Sequence, residues 1–273
     1  MTTSVLVVAA VVCSAFGRQQ DKAVPLDQTT YLITGVAGPR GHAGGHGSAM
    51  SDINAVHVLT NIEKLAFQLD ASILIYEAED VFLHASHVLN CTRCTVRKEL
   101  PHVHHIKERT ERLAVVRNQV LDAVLQINPT FWIVLDLDDA SCAFKPDVFA
   151  LIDDQPAASM LSFMPHDHFY DPWALRAPFF PYSTHGSLRY AQPFDITVKG
   201  WLRAAQNMQV PYIKVWSSFN GAAVYRVRDV ASSGCRYGYR DKNGTVDCEH
   251  AIFNQCIHRH GYELRLALRN TCL

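Results

Sequence analysis

The sequence has no excess of charge of either sign. Its 273 residues include 25 Lys and Arg against 26 Asp and Glu, so the formal net charge is −1, and neither sign collects into long runs. This balance argues against a general electrostatic attraction to nucleic acid or to an anionic membrane. Internal repeats and low-complexity tracts are also missing, and 48% of the residues are hydrophobic. We therefore expect a folded protein with a large core that recognises its partners at a site.

No apolar run near the start of the chain is long enough to cross a bilayer. The stretch from Val5 to Phe16 falls short of the roughly 20 residues that a spanning helix needs. A secretory signal fits this length, although basic residues are missing before it, and a buried first strand is the alternative. We expect residues 1–17 to be a signal peptide or short anchor, which would be the only contact with a membrane, and residues 18–29 to be a linker.

Glycosylation triplets support the secretory route. Asn90-Cys91-Thr92 and Asn243-Gly244-Thr245 are acceptor sequences for N-linked glycans. We therefore expect a protein of the secretory pathway, either in the Golgi lumen or secreted.

The 8 cysteines include only one CxxC pair, Cys91 and Cys94. Because a second such pair is missing, a structural disulfide or plain buried thiols are favoured over a zinc or redox site. The sequence leaves the pairing of the other cysteines open, including whether Cys248 and Cys256 are bridged.

Strands and helices alternate in the first half of the chain. Short apolar runs predict strands at residues 31–36, 73–76 and 131–135, and apolar residues at helical spacing predict helices at about 52–69 and 108–125. This order is typical of an α/β domain with a mainly parallel central sheet flanked by helices. The pattern is less regular after residue 140, where we expect a strand at 213–216 and a last helix at 249–258.

A glycine-rich segment follows the first predicted strand and begins at Gly35. Glycines let a backbone approach a ligand closely, so a cradle for phosphate is one interpretation. The spacing matches neither a P-loop nor a Rossmann fingerprint, and a flexible surface loop is the alternative.

Three carboxylates follow the most apolar predicted strand, at Asp136, Asp138 and Asp139. Ligands of parallel sheets gather at the carboxyl ends of strands, and Mg²⁺ or Mn²⁺ prefers oxygen ligands. These acids therefore predict a metal site that also accepts diphosphate oxygens. The alternative is that they cap the next segment or lie in solvent.

The strand that ends in Asp-x-Asp resembles the metal and nucleotide-sugar site of GT-A glycosyltransferases, and Arg117-Asn118 is similar to an Arg-Asn pair in those families. Three later segments resemble the fungal capsule-associated α-1,3-mannosyltransferase family. They are residues 169–176, with Tyr170-Asp171-Pro172-Trp173 and Arg176; residues 215–221, with Phe219-Asn220-Gly221; and Cys248-Glu249-His250. Pro172 and Phe219 depart from the family pattern, in which Thr and Trp are usual.

This resemblance implies a GT-A-like, Rossmann-like domain at residues 30–273, with a nucleotide-sugar half at 30–140 and a less regular acceptor half at 141–273. The donor-binding candidates are Gly35, Arg109, Arg112, Arg117, Asn118 and Asp136. The acceptor-binding candidates are Tyr170, Asp171, Trp173, Arg176, Asn220, Gly221 and His250.

Several of these residues also have structural interpretations. The arginine helix could be a solvated basic face, the segment around Trp173 could anchor a core, and Asn220-Gly221 suits a hairpin turn. Glu249 and Asp247 are the candidates for a general base, although carboxylates at the start of a helix are favoured by the helix dipole whatever their role.

The predicted function is metal-dependent transfer of a hexose from a nucleotide-diphosphate donor, GDP- or UDP-linked, to a hydroxyl of a glycan acceptor. Mannose from GDP-mannose is the first choice of donor, and Mn²⁺ or Mg²⁺ is the expected cofactor. A haloacid-dehalogenase-like phosphatase is the rival enzyme, because its nucleophilic Asp also follows a strand in an Asp-x-Asp arrangement. The non-enzymatic alternative is a secreted glycan-binding domain.

Overall fold

A computed structural model describes residues 30–37, 52–77, 80–99, 103, 105–137, 145–164, 171, 173–178 and 200–270. The strands are β1 (Tyr31–Ala37), β2 (Ser72–Glu77), β3 (Cys94–Lys98), β4 (Phe131–Asp136), β5 (Ala158–Met164), β6 (Tyr212–Val215), β7 (Ala222–Arg226) and β8 (Glu263–Asn270). The helices are α1 (Asp52–Leu69), α2 (Val81–Leu89), α3 (Arg109–Ile127), α4 (Pro146–Ala150), α5 (Val227–Ser233) and α6 (Glu249–Arg259). Residues 200–207 are also helical. No helix in these described ranges is both long and apolar enough to span a bilayer.

The strands form one sheet in the order β3-β2-β1-β4-β7-β5-β8-β6. The first four strands are parallel to one another, and β5 and β8 point the same way, while β7 and β6 are antiparallel to their neighbours. The predicted α/β fold with a mainly parallel sheet is therefore confirmed.

Helices cover both faces of this sheet. Helices α3, α5 and α6 pack on one face, which we call the α3 face, and α1, α2 and α4 pack on the other. Burial on both sides explains why Phe131 to Leu135 of β4 are apolar throughout, with at most 4% of each residue exposed. The one polar atom of Trp132 is satisfied inside the core, because its indole Nε1–H donates to Thr34 Oγ1 at 2.7 Å.

The strand order positions the candidate site. Strand β1 has β2 on one side and β4 on the other, so the direction of chain winding reverses between β1 and β4. In open α/β sheets, ligands bind outside the carboxyl ends of the strands at such a switch point. Asp136 is the last residue of β4 and therefore lies at that place.

Some elements differ from the predictions. The helix α2 and the strands β3, β5 and β8 were not predicted. The hairpin interpretation of Asn220-Gly221 is wrong, because β6 pairs with β8 whereas β7 pairs with β4 and β5. The predicted signal peptide, linker and glycine-rich loop beyond Ala37 lie outside the described residues.

Two disulfides lie within the described residues. Cys91 and Cys94 are bridged, which confirms the preference for a structural disulfide at the CxxC pair. Cys256 is bridged to Cys235, and Cys248 is a buried free thiol.

We expect the Cys235–Cys256 bridge to matter more for stability than the local one. Its cysteines are 21 residues apart, and closing a loop of that length in the unfolded chain is worth about 3 kcal/mol, against about 2 kcal/mol for the three-residue separation of Cys91 and Cys94. The double serine variants at each bridge, compared by equilibrium denaturation, should therefore rank in that order. An equal loss at both bridges would contradict the loop-length argument.

Candidate active site

Asp136 is held at the carboxyl end of β4 by the neighbouring antiparallel strand. Its backbone N–H donates to the carbonyl of Gly221 at 2.8 Å, just before β7 begins. Gly221 has a φ of 91°, a backbone conformation that residues with a Cβ rarely adopt. Glycine at this position therefore brings the Asn220-Gly221 segment against the acidic strand end.

Arg117 joins the strand end to the start of α6. This buried side chain donates from Nε to Glu249 Oε1 at 3.1 Å and from Nη2 to Asp136 Oδ1 at 3.3 Å. Its guanidinium carbon also lies 5.7 Å from the ring centroid of Phe219. Burial alone would lower the pKa of Arg117, but the two carboxylates outweigh it and raise that pKa above its ordinary value.

Asp171 is the third acidic residue of the site, after Asp136 and Glu249. Its Oδ1 accepts hydrogen bonds from the backbone N–H of Trp173 at 3.2 Å and of Ala174 at 3.3 Å, and its own N–H donates to Asn220 Oδ1 at 3.1 Å. Burial, followed by the charges of Asp136 and Glu249, raises the pKa of Asp171 to about 7, although the two backbone hydrogen bonds act in the opposite direction. Near neutral pH, this carboxyl group is therefore able both to hold and to release a proton.

Among the described residues, carboxyl groups outnumber guanidinium groups at this site. Three carboxyl groups, of Asp136, Asp171 and Glu249, interact electrostatically, and Arg117 pairs with Asp136 and Glu249. A divalent cation with a preference for oxygen ligands would relieve this excess, so the residues present fit a Mg²⁺ or Mn²⁺ site. The two other predicted metal ligands, Asp138 and Asp139, lie outside the described residues.

Arg176 and Asp247 form a separate pair in the interior. Arg176 is fully buried and donates from Nη2 to Asp247 Oδ1 at 2.5 Å and from Nη1 to the carbonyls of Trp173 and Leu175, both at 2.7 Å. Asp247 is 3% exposed and also accepts the N–H of Cys248 at 2.8 Å. This geometry favours a structural role for both residues, and it leaves Glu249 as the better placed of the two predicted bases.

His250 stacks beneath the site. Its ring lies 3.6 Å from that of Phe219 with an angle of 10° between the planes, and it is 2% exposed. Within the described part of the chain, neither ring nitrogen has a hydrogen-bond partner. Burial and the charge of Arg117 hold the pKa of His250 well below its usual range, so the imidazole is neutral. Phe219, which the sequence offered only as a departure from a usual Trp, is the platform for both Arg117 and His250.

The remaining donor candidates occupy different surroundings. Arg109 and Arg112 lie on the first turn of α3, at the same edge of the sheet as Asp136, with Arg109 exposed. The side-chain amide of Asn118 is engaged by the backbone of Tyr237, with its Nδ2 donating at 3.0 Å and its Oδ1 accepting at 2.9 Å. A Cβ added to Gly35 would lie 2.5 Å from the side chain of Leu137, so this glycine is needed for packing. Tyr170 lies outside the described residues.

Comparisons with known proteins leave the family of this chain undefined. No protein-family model matches it, and no curated protein matches it. Among solved structures, the chain is similar to a CMP-2-keto-3-deoxy-manno-octonic acid synthetase complexed with CTP, at 10% identity and a TM-score of 0.41, over 87% of this chain and 89% of that one. It is also similar to a 4-diphosphocytidyl-2C-methyl-D-erythritol synthase from Anaerococcus prevotii, at 8% identity and a TM-score of 0.44, over 88% of each chain.

Proposed function

We propose that this protein is a metal-dependent glycosyltransferase that moves a hexose from a nucleotide-diphosphate donor to a hydroxyl of a glycan. One observation carries the proposal. A carboxylate at the switch point of the sheet, Asp136, is joined through the buried Arg117 to Glu249 on the first turn of α6, and Asp171 completes an acidic site there. Such a site can hold a metal-bound diphosphate on one side and a hydroxyl group on the other.

The metal would be held by Asp136 together with Asp138 and Asp139. A bound Mg²⁺ or Mn²⁺ would neutralise the charge that develops on the leaving diphosphate. The excess of carboxylates over guanidinium groups at the described part of the site supports this assignment. Arg109 and Arg112, at the same edge of the sheet, are placed where they could contact donor phosphates.

The acceptor side would be formed by Glu249, Asp171 and Trp173. Arg117 fixes the Glu249 carboxylate relative to Asp136, so donor and acceptor groups are oriented by the same side chain. Where the reaction inverts the sugar configuration, Glu249 or Asp171 would take the proton of the acceptor hydroxyl. Where it retains the configuration, the same carboxylates would position the acceptor. The resemblance to capsule-associated mannosyltransferases makes GDP-mannose the first donor to test.

A thermal-shift screen of GDP-, UDP- and dTDP-sugars, with and without Mn²⁺, tests this proposal. At a donor concentration of about one hundred times Kd, binding should add about 2.7 kcal/mol to the free energy of unfolding and raise the melting temperature by about 5 °C or more. We expect this rise with at least one nucleotide sugar, and only when the metal is present.

Two results would contradict the proposal. Glycan binding that survives chelation, with no shift from any nucleotide sugar, would indicate a binding domain without catalysis. A covalent phosphate trapped on Asp136 would indicate a phosphatase of the haloacid-dehalogenase type.

A further inference from the structure

Glu99 is a buried acid that the site described above does not use. It follows the last residue of β3, and its N–H donates to the carbonyl of Glu77 at 3.1 Å, which continues the pairing of β3 with β2 by one residue. The residue is 5% exposed, and its Oε2 has no hydrogen-bond partner among the described residues. A buried polar atom without a partner costs free energy in the isolated protein, and such groups call for an explanation.

The other buried acids at this end of the sheet do have partners. Glu77 accepts the backbone N–H groups of Phe82 and Leu83 at 2.8 and 3.0 Å, and Glu249 and Asp247 are each paired with an arginine. Glu99 differs because its Oε2 accepts no hydrogen bond from a described residue, and burial raises its pKa to about 7 although the charges of Arg112 and Lys98 act in the opposite direction. The carboxyl group of Glu99 can therefore accept a further hydrogen bond from a ligand.

Glu99 and Asp136 lie on the same face of the sheet. Arg97, two residues before Glu99, contacts Tyr76 of the α3-face core, and Glu99 itself lies near Arg112 of α3. Asp136 contacts Arg117, which also belongs to α3. Both acids therefore lie at the carboxyl edge of the sheet above the amino-terminal half of one helix.

The separation of the two acids suits a nucleotide. Strands β3 and β4 are three strand spacings apart in the sheet, which corresponds to about 14 Å. An extended nucleoside diphosphate with its phosphates at the Asp136 end can direct its base towards the end of β3. Glu99 is the described residue at that end with hydrogen-bonding capacity left over.

The chemistry of a carboxylate selects among bases. When it is ionised, a carboxylate is an acceptor only, with two oxygens side by side, and a ligand that donates to both oxygens favours this form of Glu99. Guanine presents two adjacent donors, the ring N1–H and the exocyclic N2–H, which match these oxygens. Uracil presents one N–H between two carbonyl oxygens, and those carbonyls would face the carboxylate without a proton between them. A buried group of this kind discriminates strongly, because the wrong ligand leaves it unpaired.

We propose that Glu99 is the base-recognition residue of the donor site and that it selects a guanine nucleotide. This inference rests on the proposed function, since it places a nucleotide diphosphate at Asp136. It adds a residue outside the acidic site to the determinants of donor specificity.

Binding of GDP and UDP to the intact protein in the presence of Mn²⁺, measured by calorimetry, tests this inference. We expect the wild type to prefer GDP, and Glu99→Gln to weaken GDP binding by roughly tenfold or more while UDP binding changes by less than about twofold. The amide keeps the size of the side chain, but it replaces one acceptor with a donor that opposes guanine. Glu111→Gln, on the first turn of α3, removes the same charge without removing a buried group and should leave both affinities unchanged.

The possible outcomes separate this inference from the proposed function. If the wild type prefers UDP or CDP, or if Glu99→Gln keeps the preference for GDP, the role of Glu99 is wrong while a nucleotide-sugar transferase still stands. If the wild type binds no nucleoside diphosphate with any metal, both are wrong. The melting temperature of Glu99→Gln, measured alongside, shows whether the variant is folded.

Discussion

Replacing Asp136 with asparagine is expected to lower sugar transfer at least about a hundredfold while leaving a folded protein. The change keeps the shape of the side chain but removes the charge that would hold the metal and that now faces Arg117 at 3.3 Å. Arg117 keeps Glu249 as its partner at 3.1 Å, so a buried guanidinium is not left without a counter-charge. Initial rates of donor turnover at increasing Mn²⁺, together with a melting curve, measure both effects.

Asp122→Asn is the matched control for this experiment. Asp122 lies on α3 and pairs with Arg236 at the surface, where the Asp122 side chain is 63% exposed, and it is not one of the candidate site residues. The control should keep the wild-type rate at every metal concentration. A wild-type rate in Asp136→Asn would remove the basis of the proposed metal site.

Most of the first half of the fold could be predicted from the sequence, because β1, β2, β4, α1 and α3 have clear patterns, whereas α2 and β3 were missed. Residues 131–135 are apolar at every position, and a strand buried on both faces is the structure that such a run favours. The second half was harder because its strands do not alternate regularly with helices and pair in both parallel and antiparallel fashion. Strand β8 could nevertheless have been predicted, because an alternation of polar and leucine residues that is typical of a strand begins at Glu263.

The site was only partly predictable. Asp136 follows from its place after β4, but the distinction between Asp247 and Glu249 does not follow from their neighbours in the sequence. Arg117 is 132 residues from Glu249, and Arg176 is 71 residues from Asp247. The partner of each acid is therefore set by tertiary packing, and two carboxylates that are two residues apart end in different surroundings.

The buried pair of Arg176 and Asp247 leads to the largest expected effect on stability. Arg176→Met should lower the free energy of unfolding by about 3–5 kcal/mol, because it leaves the Asp247 carboxylate buried without its counter-charge. Asp247→Asn should also destabilise, since it leaves the guanidinium buried beside a neutral group. The double variant Arg176→Met/Asp247→Asn should lose less than the sum of the single changes, because no unpaired charge remains. Equilibrium denaturation of the three variants and the wild type measures these terms.

Arg236→Met is the control for this pair, because Arg236 also faces an aspartate, Asp122, but at the surface, with 44% and 63% of the two side chains exposed. Its loss should stay within about 0.5 kcal/mol. The comparison of these variants distinguishes two roles for Arg176, namely acceptor binding and structural support. If Arg176 were an acceptor-binding residue, its replacement would raise the KM for the acceptor at nearly unchanged stability. Its burial and its contacts with Asp247, Trp173 and Leu175 favour the opposite result, in which the arginine holds the backbone of Trp173 and Leu175 in place.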